Sequence, residues 1–232
     1  MKTLGLLGGM SWESTTAYYQ RLNRLARERL GGQHSAPLLI WSVDFAPIAA
    51  MQVAGEWEKA TAILVDAARR LEAAGAEALL ICANTMHLMA DEIQGAITIP
   101  LIHVADATAG VLRGSGIRRP LLLATRFTME KPFYRDRLAA HGVEAVIPAA
   151  VDRDRLHAII FDELVQGRFE APSRAEIRAI AARAVDAGGV DGVILGCTEF
   201  GLLMRDGDFD VPSFDTTDIH ARAGLAFALG DA

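Results

Sequence analysis

The sequence predicts an α/β fold of two pseudo-symmetric, Rossmann-like halves, each a mainly parallel sheet flanked by helices, with the active site in the cleft between them. Three observations predict it. Short apolar runs alternate with longer amphipathic ones along the chain, the pattern of βα units whose strands are buried on both faces. At 232 residues and 51% hydrophobic, the chain can bury one large core or two modest ones. The motifs of the first half also return in the second, in the same order.

Taken in order, the apolar runs predict strands at Thr3–Leu7, Leu38–Val43, Ala78–Ile81, Leu101–His103, Leu121–Ala124, Ala145–Ile147, Val193–Leu195 and Ser213–Phe214. Helical spacing predicts helices at Ser14–Arg29, Glu56–Ala74, Met86–Ile93, Lys131–Ala140, Arg153–Gln166, Arg174–Ala187 and Asp218–Leu229. Ser173, after Pro172, reads as a helix cap, and Gly75, Gly142 and Gly188 read as helix stops.

The repeat is read directly. Gly75-Ala-Glu-Ala-Leu-Leu-Ile-Cys-Ala-Asn-Thr85 lies on Gly189-Val-Asp-Gly-Val-Ile-Leu-Gly-Cys-Thr-Glu199 without a gap. Leu4–Gly9 matches Pro120–Thr125 upstream, and Ile97–His103 matches Phe209–Asp215 downstream. The expected organisation is therefore an N-terminal half over 1–115, a C-terminal half over 116–210, and a segment 211–232 that packs back on the first half. Ligands of open α/β sheets bind beyond the carboxyl ends of the strands. That rule gathers Gly8–Ser11, the stretch after Asp44, Ala83–His87, Thr125–Thr128 and Gly196–Glu199 into one expected site.

Composition excludes several classes. The formal charge of −6, with arginines scattered among acids, gives no basic footprint for nucleic acid. No uncharged stretch approaches a membrane span, and the apolar run Leu4–Leu7 is too short for a signal-peptide core. Two cysteines in apolar sequence, Cys82 and Cys197, make no disulfide framework and suit a reduced, cytoplasmic protein. Gly5, Gly8 and Gly9 do not have dinucleotide-binding spacing, and Asp44 falls too far downstream for a ribose contact. None of Lys2, Lys59 and Lys131 is placed for a pyridoxal Schiff base. The spacings of Cys82, His87 and His103 fit no zinc pattern, so neither cofactor nor metal is expected.

The chemistry is expected at Cys197. It follows a buried strand directly and precedes Thr198-Glu199, where helix N-terminal N–H groups would stabilise a thiolate. The alternative, a cysteine packed as a small hydrophobe, loses weight beside Gly196, which permits close approach, and two polar neighbours. Asn84 and Thr85 hold the equivalent point of the first half, an amide and a hydroxyl suited to a carboxylate or to capping a helix.

At these motifs the chain resembles a known family. Gly5–Thr15 (Gly-Leu-Leu-Gly-Gly-Met-Ser-Trp-Glu-Ser-Thr), Asn84–His87 (Asn-Thr-Met-His), Ala124–Met129 (Ala-Thr-Arg-Phe-Thr-Met) and Gly196–Glu199 (Gly-Cys-Thr-Glu) resemble the aspartate/glutamate racemases, nearest the bacterial broad-specificity subgroup. Val43–Phe45, Gly55–Trp57 and Phe214–Thr216 extend the resemblance nearly end to end. It implies a pyridoxal-independent racemase, a homodimer, in which two thiols flank an amino-acid substrate. One removes the α-proton and the other returns a proton to the opposite face. It also implies that Met10, Gln52, Asn84, Thr85, Thr198 and Glu199 contact the substrate, with Thr125 and Thr128 as further candidates.

The chain departs from that pattern at one place. The family's first thiol stands immediately before Asn-Thr, where this sequence has Ala83, and the internal repeat also pairs Ala83 with Cys197. Cys82 is one residue early, and neighbouring side chains on a strand face opposite ways. Inversion then needs a second donor: an ordered water, His87, or Cys82 if the local turn rotates it inward. Arylmalonate decarboxylases, which resemble the same superfamily and use one cysteine opposite a small residue, give an alternative; a non-catalytic amino-acid-binding protein gives another. Arg126, Lys131 and Arg168 are candidate partners for a distal carboxylate, while Gln52 suggests a polar pocket open to glutamate, aspartate or homoserine-like substrates.

Overall fold

The computed structural model describes residues 1–205 and 207–231. They divide into two compact units, one of Met1–His103 with the chain from His220 onward, the other Val104–Ile219.

In the first unit, strands β1 (Leu4–Gly8), β2 (Leu38–Ser42) and β3 (Ala78–Ile81) form a parallel sheet in the order β2-β1-β3. Leu79 makes a single parallel bridge to Leu101 on the outer side of β3. In the second unit, β4 (Pro120–Leu123), β5 (Gly192–Leu195) and β6 (Ser213–Asp215) are parallel in the order β4-β5-β6, and Leu121 bridges Val146 on the outer side of β4. Counting the bridges, the first sheet runs β2, β1, β3, Leu101 and the second runs Val146, β4, β5, β6. β1 therefore corresponds to β4, and β3 to β5, as the sequence repeat requires.

The predicted strands Leu101–His103 and Ala145–Ile147 shrink to these bridges. Pro100 and Pro148 flank them, and proline limits how far a ladder can extend. What remains is one exchange each: Leu79 N–H to Pro100 O and Ile102 N–H to Leu79 O, both 2.9 Å, then Val146 N–H to Pro120 O at 2.8 Å and Leu122 N–H to Val146 O at 2.7 Å.

The helices are α1 (Trp12–Leu30), α2 (Phe45–Ala54), α3 (Trp57–Ala73), α4 (Ala90–Gly95), α5 (Val104–Gly114), α6 (Arg126–Glu130), α7 (Pro132–Ala140), α8 (Ala150–Asp162), α9 (Ala171–Asp186), α10 (Phe200–Leu203) and α11 (Thr216–Leu229). Ser11 caps α1, its hydroxyl accepting from Ser14 N–H at 3.3 Å. Gly75, Gly142 and Gly188 follow helices in the left-handed region that favours glycine.

The differences from the expected helices have local causes. Ser173 does not cap α9: Ala171 and Pro172 already lie in the first turn, where proline's missing N–H costs nothing, and the Ser173 hydroxyl donates to Glu163. Met86–Ile93 is a 3₁₀ helix (Thr85–Met89) followed by α4, and Lys131–Ala140 is preceded by the separate α6 because Pro132 starts a new helix. Arg153–Gln166 begins earlier, at Ala150, and ends at Asp162 before a 3₁₀ turn, Leu164–Gln166. Helix α2 is not among the expected helices because Phe45-Ala-Pro-Ile-Ala-Ala has no amphipathic period, although Asp44 caps it, accepting Ala46 N–H at 3.2 Å.

Helix α5 lies where no helix is expected, and it moves the division from 115 to 103. Its Val104, Ala105, Ala109 and Leu112 pack with Leu121–Ala124, Tyr134 and Leu138 of the second unit. Arg137 then clamps Asp106 with two bonds of 2.8 Å. The glycines at 114 and 116 end this helix without ending a domain. At the other boundary, β6 and the start of α11 stay with the second unit, and the chain joins the first from His220.

Alternation on β3 sorts its side chains between two helix layers. Ala78, Leu80 and Cys82 pack with Leu4, Leu6, Tyr18 and Ala221. Leu79, Ile81 and Ala83 pack with Leu7, Leu64, Met10 and Met86.

Candidate functional site

Because each sheet is parallel, all its strands deliver their following turns to one edge. In the first unit that edge carries Gly8–Ser11, the Asp44 turn and Ala83–His87. The first of these is tightly tied. Gly8 and Gly9 take the backbone close to its neighbours: a Cβ on Gly8 would strike Thr15, and one on Gly9 the Val43 backbone. Thr15 then accepts from Gly9 N–H at 2.8 Å and donates to Ser11 O at 3.1 Å.

Met10 and Ala83 pack in one cluster with Met86, and Gln52 on α2 donates its amide N–H to Met86 Sδ at 3.0 Å. Gln52 is buried, and its Oε1 has no hydrogen-bond partner among the described residues. Asn84 and Thr85 are buried beside them, and Asn84 precedes the 3₁₀ helix without a side-chain cap. Met10, Gln52, Ala83, Asn84 and Thr85 are thus brought to one edge. Met86 was not singled out from sequence; only its place beside Asn84-Thr85 pointed to it.

Cys82 faces the other way, fully buried among Tyr18, Leu6 and Ala221, and burial pushes its thiol far above the usual range. His87 is occupied as well. Its Nδ1–H donates to the Ala83 carbonyl at 3.0 Å, and burial, followed by His103 and His220, holds its pKa well below the ordinary value. The His87 ring sits 4.6 Å from His103 and 5.6 Å from His220, centroid to centroid. His220 Nε2–H donates to Ile102 O at 2.6 Å, which leaves Nδ1 to accept from the Tyr18 hydroxyl at 2.8 Å. Among the described residues no group of three or more His, Cys, Asp or Glu side chains is arranged to hold a metal ion.

In the second unit the edge carries Thr125–Thr128 after β4, Gly196–Glu199 after β5 and Asp215–Thr217 after β6. Thr125 caps α6, accepting Thr128 N–H at 3.2 Å, and the two threonine hydroxyls lie 3.1 Å apart. Gly196 donates its N–H to Leu123 O at 2.7 Å, and a Cβ there would sit 2.8 Å from Leu122 Cδ1 and 3.2 Å from Ala124 Cβ. This approach seats Cys197 against the end of β4.

Cys197 is buried, and its Sγ–H donates to Glu199 Oε2 at 3.0 Å; the Thr198 hydroxyl donates to the same oxygen at 2.9 Å. The expected stabilisation of a thiolate is reversed here. Backbone N–H groups of Thr198 and Glu199 do favour the thiolate, but burial, then the charge of Glu199 and its hydrogen bond, outweigh them and hold the thiol well above the usual range. The four-residue helix α10 is too short to supply a strong dipole. What the edge offers is a buried thiol with a carboxylate to receive its proton.

Two of the three basic candidates are engaged elsewhere. Arg126 pairs with Asp154 at 3.1 Å, and the Arg168 guanidinium folds back onto the Asp162 carbonyl. Among the described residues, no helix is long and apolar enough to cross a membrane.

Comparison with known proteins places this arrangement. The family model described as Asp/Glu/Hydantoin racemase matches residues 7–224. Over 146 residues the chain is 25% identical to the broad specificity amino-acid racemase RacX of Bacillus subtilis, covering 62% of this chain and 63% of that protein's length. Among solved structures, a Yersinia pestis protein assigned as an Asp/Glu racemase shares 47% identity with a TM-score of 0.89, over 99% of this chain and 100% of that one. An aspartate racemase homologue from Pyrococcus horikoshii shares 36% identity with a TM-score of 0.83, over the whole of both chains. The chain belongs to the Asp/Glu/Hydantoin racemase family, a family of isomerases.

Proposed function

We propose that the chain is a cofactor-independent racemase of acidic amino acids, in which Cys197 moves the α-proton on one face of the substrate. The observation that carries this reading is the Cys197–Glu199 hydrogen bond at the carboxyl end of β5. Names of the relatives, an Asp/Glu racemase and an aspartate racemase homologue, support the substrate class. Met10, Gln52, Asn84, Thr85 and Thr198 hold the amino acid, and Thr125 and Thr128 serve the same edge. The enzyme works in the cytoplasm as a homodimer.

The steps balance as follows. Glu199 takes the Cys197 proton, and the thiolate breaks the Cα–H bond, leaving the electron pair in an enolate-like carboxylate. Hydrogen bonds fixed on that carboxylate stabilise the developing charge. A water beside Ala83 then protonates Cα on the opposite face, and the hydroxide so formed recovers the proton from Glu199. Water takes this role because Ala83 has no proton to give, Cys82 faces the core, and His87 commits its one N–H to a carbonyl.

Ala83 also favours a second reading, face-selective protonation after decarboxylation of a substituted malonate, which needs only one thiol. Incubation with L-glutamate or L-aspartate, resolved by chiral chromatography, distinguishes them. The D-enantiomer is expected with the wild type and not with Cys197→Ala. Failure of both amino acids to invert, together with carbon dioxide release from a substituted malonate, would establish the second reading.

A further inference from the structure

We infer that Thr217 is a further substrate-contacting residue, its hydroxyl donating to a carboxylate oxygen of the amino acid at the edge that carries Cys197; this rests on the racemase reading above. Thr217 is only 5% exposed, yet its Oγ1 closes no hydrogen bond with any described residue. Burying a hydroxyl without a partner is unfavourable, and valine would have the same shape without the penalty.

Its position is set by four contacts. β6 runs in register with β5, Leu195 opposite Asp215, so the turns that follow them leave the same edge side by side. The Thr216 hydroxyl donates to Leu195 O at 2.8 Å, tying the start of α11 to the residue just before Gly196-Cys197. Asp215 accepts Thr217 N–H at 2.8 Å, and Gly201, beyond Glu199, packs against that same carboxylate, where a Cβ would collide with it. Cys197–Gly201 and Asp215–Thr217 are therefore adjoining walls.

Chemistry supplies the ligand class. On this edge the Cys197 thiol and the Thr198 hydroxyl both donate to Glu199. The Thr217 hydroxyl feels the Asp215 carboxyl but closes no hydrogen bond with it, so it is left as a donor on this edge for a carboxylate of the substrate. Asp215 takes the backbone N–H of Thr217 at 2.8 Å, and its pull on the hydroxyl is the weaker of the two interactions.

The test compares wild type with Thr217→Val and Thr217→Ser, reading KM and kcat for L-glutamate inversion and the melting temperature. A lost hydrogen bond to a charged group predicts a KM raised about tenfold or more in Thr217→Val, a near wild-type KM in Thr217→Ser, and no loss of melting temperature in either. An unchanged KM in Thr217→Val overturns the inference. So does a lowered melting temperature with unchanged KM, which would assign the hydroxyl to the Asp215 cap. If Thr217→Val does not fold, Thr217→Ala is read in the same way. Should the wild type invert neither acid, calorimetric binding of L-glutamate decides: weaker binding by Thr217→Val upholds the contact while the racemase reading fails, and equal or absent binding overturns both.

Discussion

The Cys197 thiol donates to Glu199 Oε2 at 3.0 Å, which joins the sulfur and the carboxylate two residues later in one hydrogen-bonded pair. The Thr198 hydroxyl, donating to the same oxygen at 2.9 Å, fixes the carboxylate in place. Burial, and then this pairing, hold the thiol's pKa above the usual range, and in the proposed mechanism the carboxylate is where its proton goes.

Glu199→Gln is expected to make Cys197 more reactive while slowing turnover. The substitution removes the charge that disfavours the thiolate and leaves the burial. With that charge gone the thiolate fraction rises, so alkylation of Cys197 by iodoacetamide at mildly alkaline pH is expected to be faster than in the wild type. Mass spectrometry separates the two cysteines, and the core-facing Cys82 stays slow in both proteins.

Ala83→Cys is expected to restore a side-chain acid on the second face. A positioned general acid contributes about 10²–10⁴-fold. Inversion should rise by about a hundredfold or more, while α-proton exchange driven by Cys197 changes much less. Ratios of the two rates by NMR and chiral chromatography check this.

Acid should weaken the first unit through its buried histidines. Burial pushes His220 down to about 4 from 6.5, so it stays neutral when folded. Unfolded, it takes a proton below about pH 6.5. Between these values only the unfolded state gains that proton, so stability present above pH 6.5 is lost as the pH falls towards 4, by about 3 kcal/mol for this group. His87 acts in the same direction. A His220→Gln protein should be less stable at pH 7 but lose less on going to pH 4.5, as read by thermal melts.

Asp208→Asn should destabilise the second unit. Its side chain is almost wholly buried, holding Arg174 by bonds of 2.8 and 2.7 Å and accepting Arg205 N–H at 2.8 Å. The amide cannot reproduce the paired carboxylate bonds to the partly exposed Arg174 guanidinium, and the loss is expected to be a fraction of that for a fully buried pair. Urea denaturation measures it.

Much of this was legible in the chain because buried parallel strands declare themselves. Leu4–Leu7, Ala78–Ile81 and Val193–Leu195 are continuous apolar runs, and the repeat aligned Ala83 with Cys197 without structural help. Helix α2 was not legible, because small apolar residues such as Ala46 and Ala49 blur the period that marks an amphipathic helix, whereas α5 keeps that period, with Val104, Ala105, Thr108, Ala109 and Leu112 buried along one face, and its spacing was a signal that could have found it. The sign of the perturbation on Cys197 was hidden for another reason. Sequence places Glu199 two residues away but does not say that its carboxylate turns back to meet the sulfur. The Tyr18–His220 bond joins residues 202 apart, beyond any local pattern.

The most direct measurement is α-proton exchange against inversion for L-glutamate and L-aspartate in D2O, with Cys197→Ala alongside. On the proposed mechanism a thiol serves one face and water the other, so exchange is expected to outpace inversion in the wild type, and both to vanish in Cys197→Ala. Exchange that persists without Cys197, or no exchange with either acid, would contradict it.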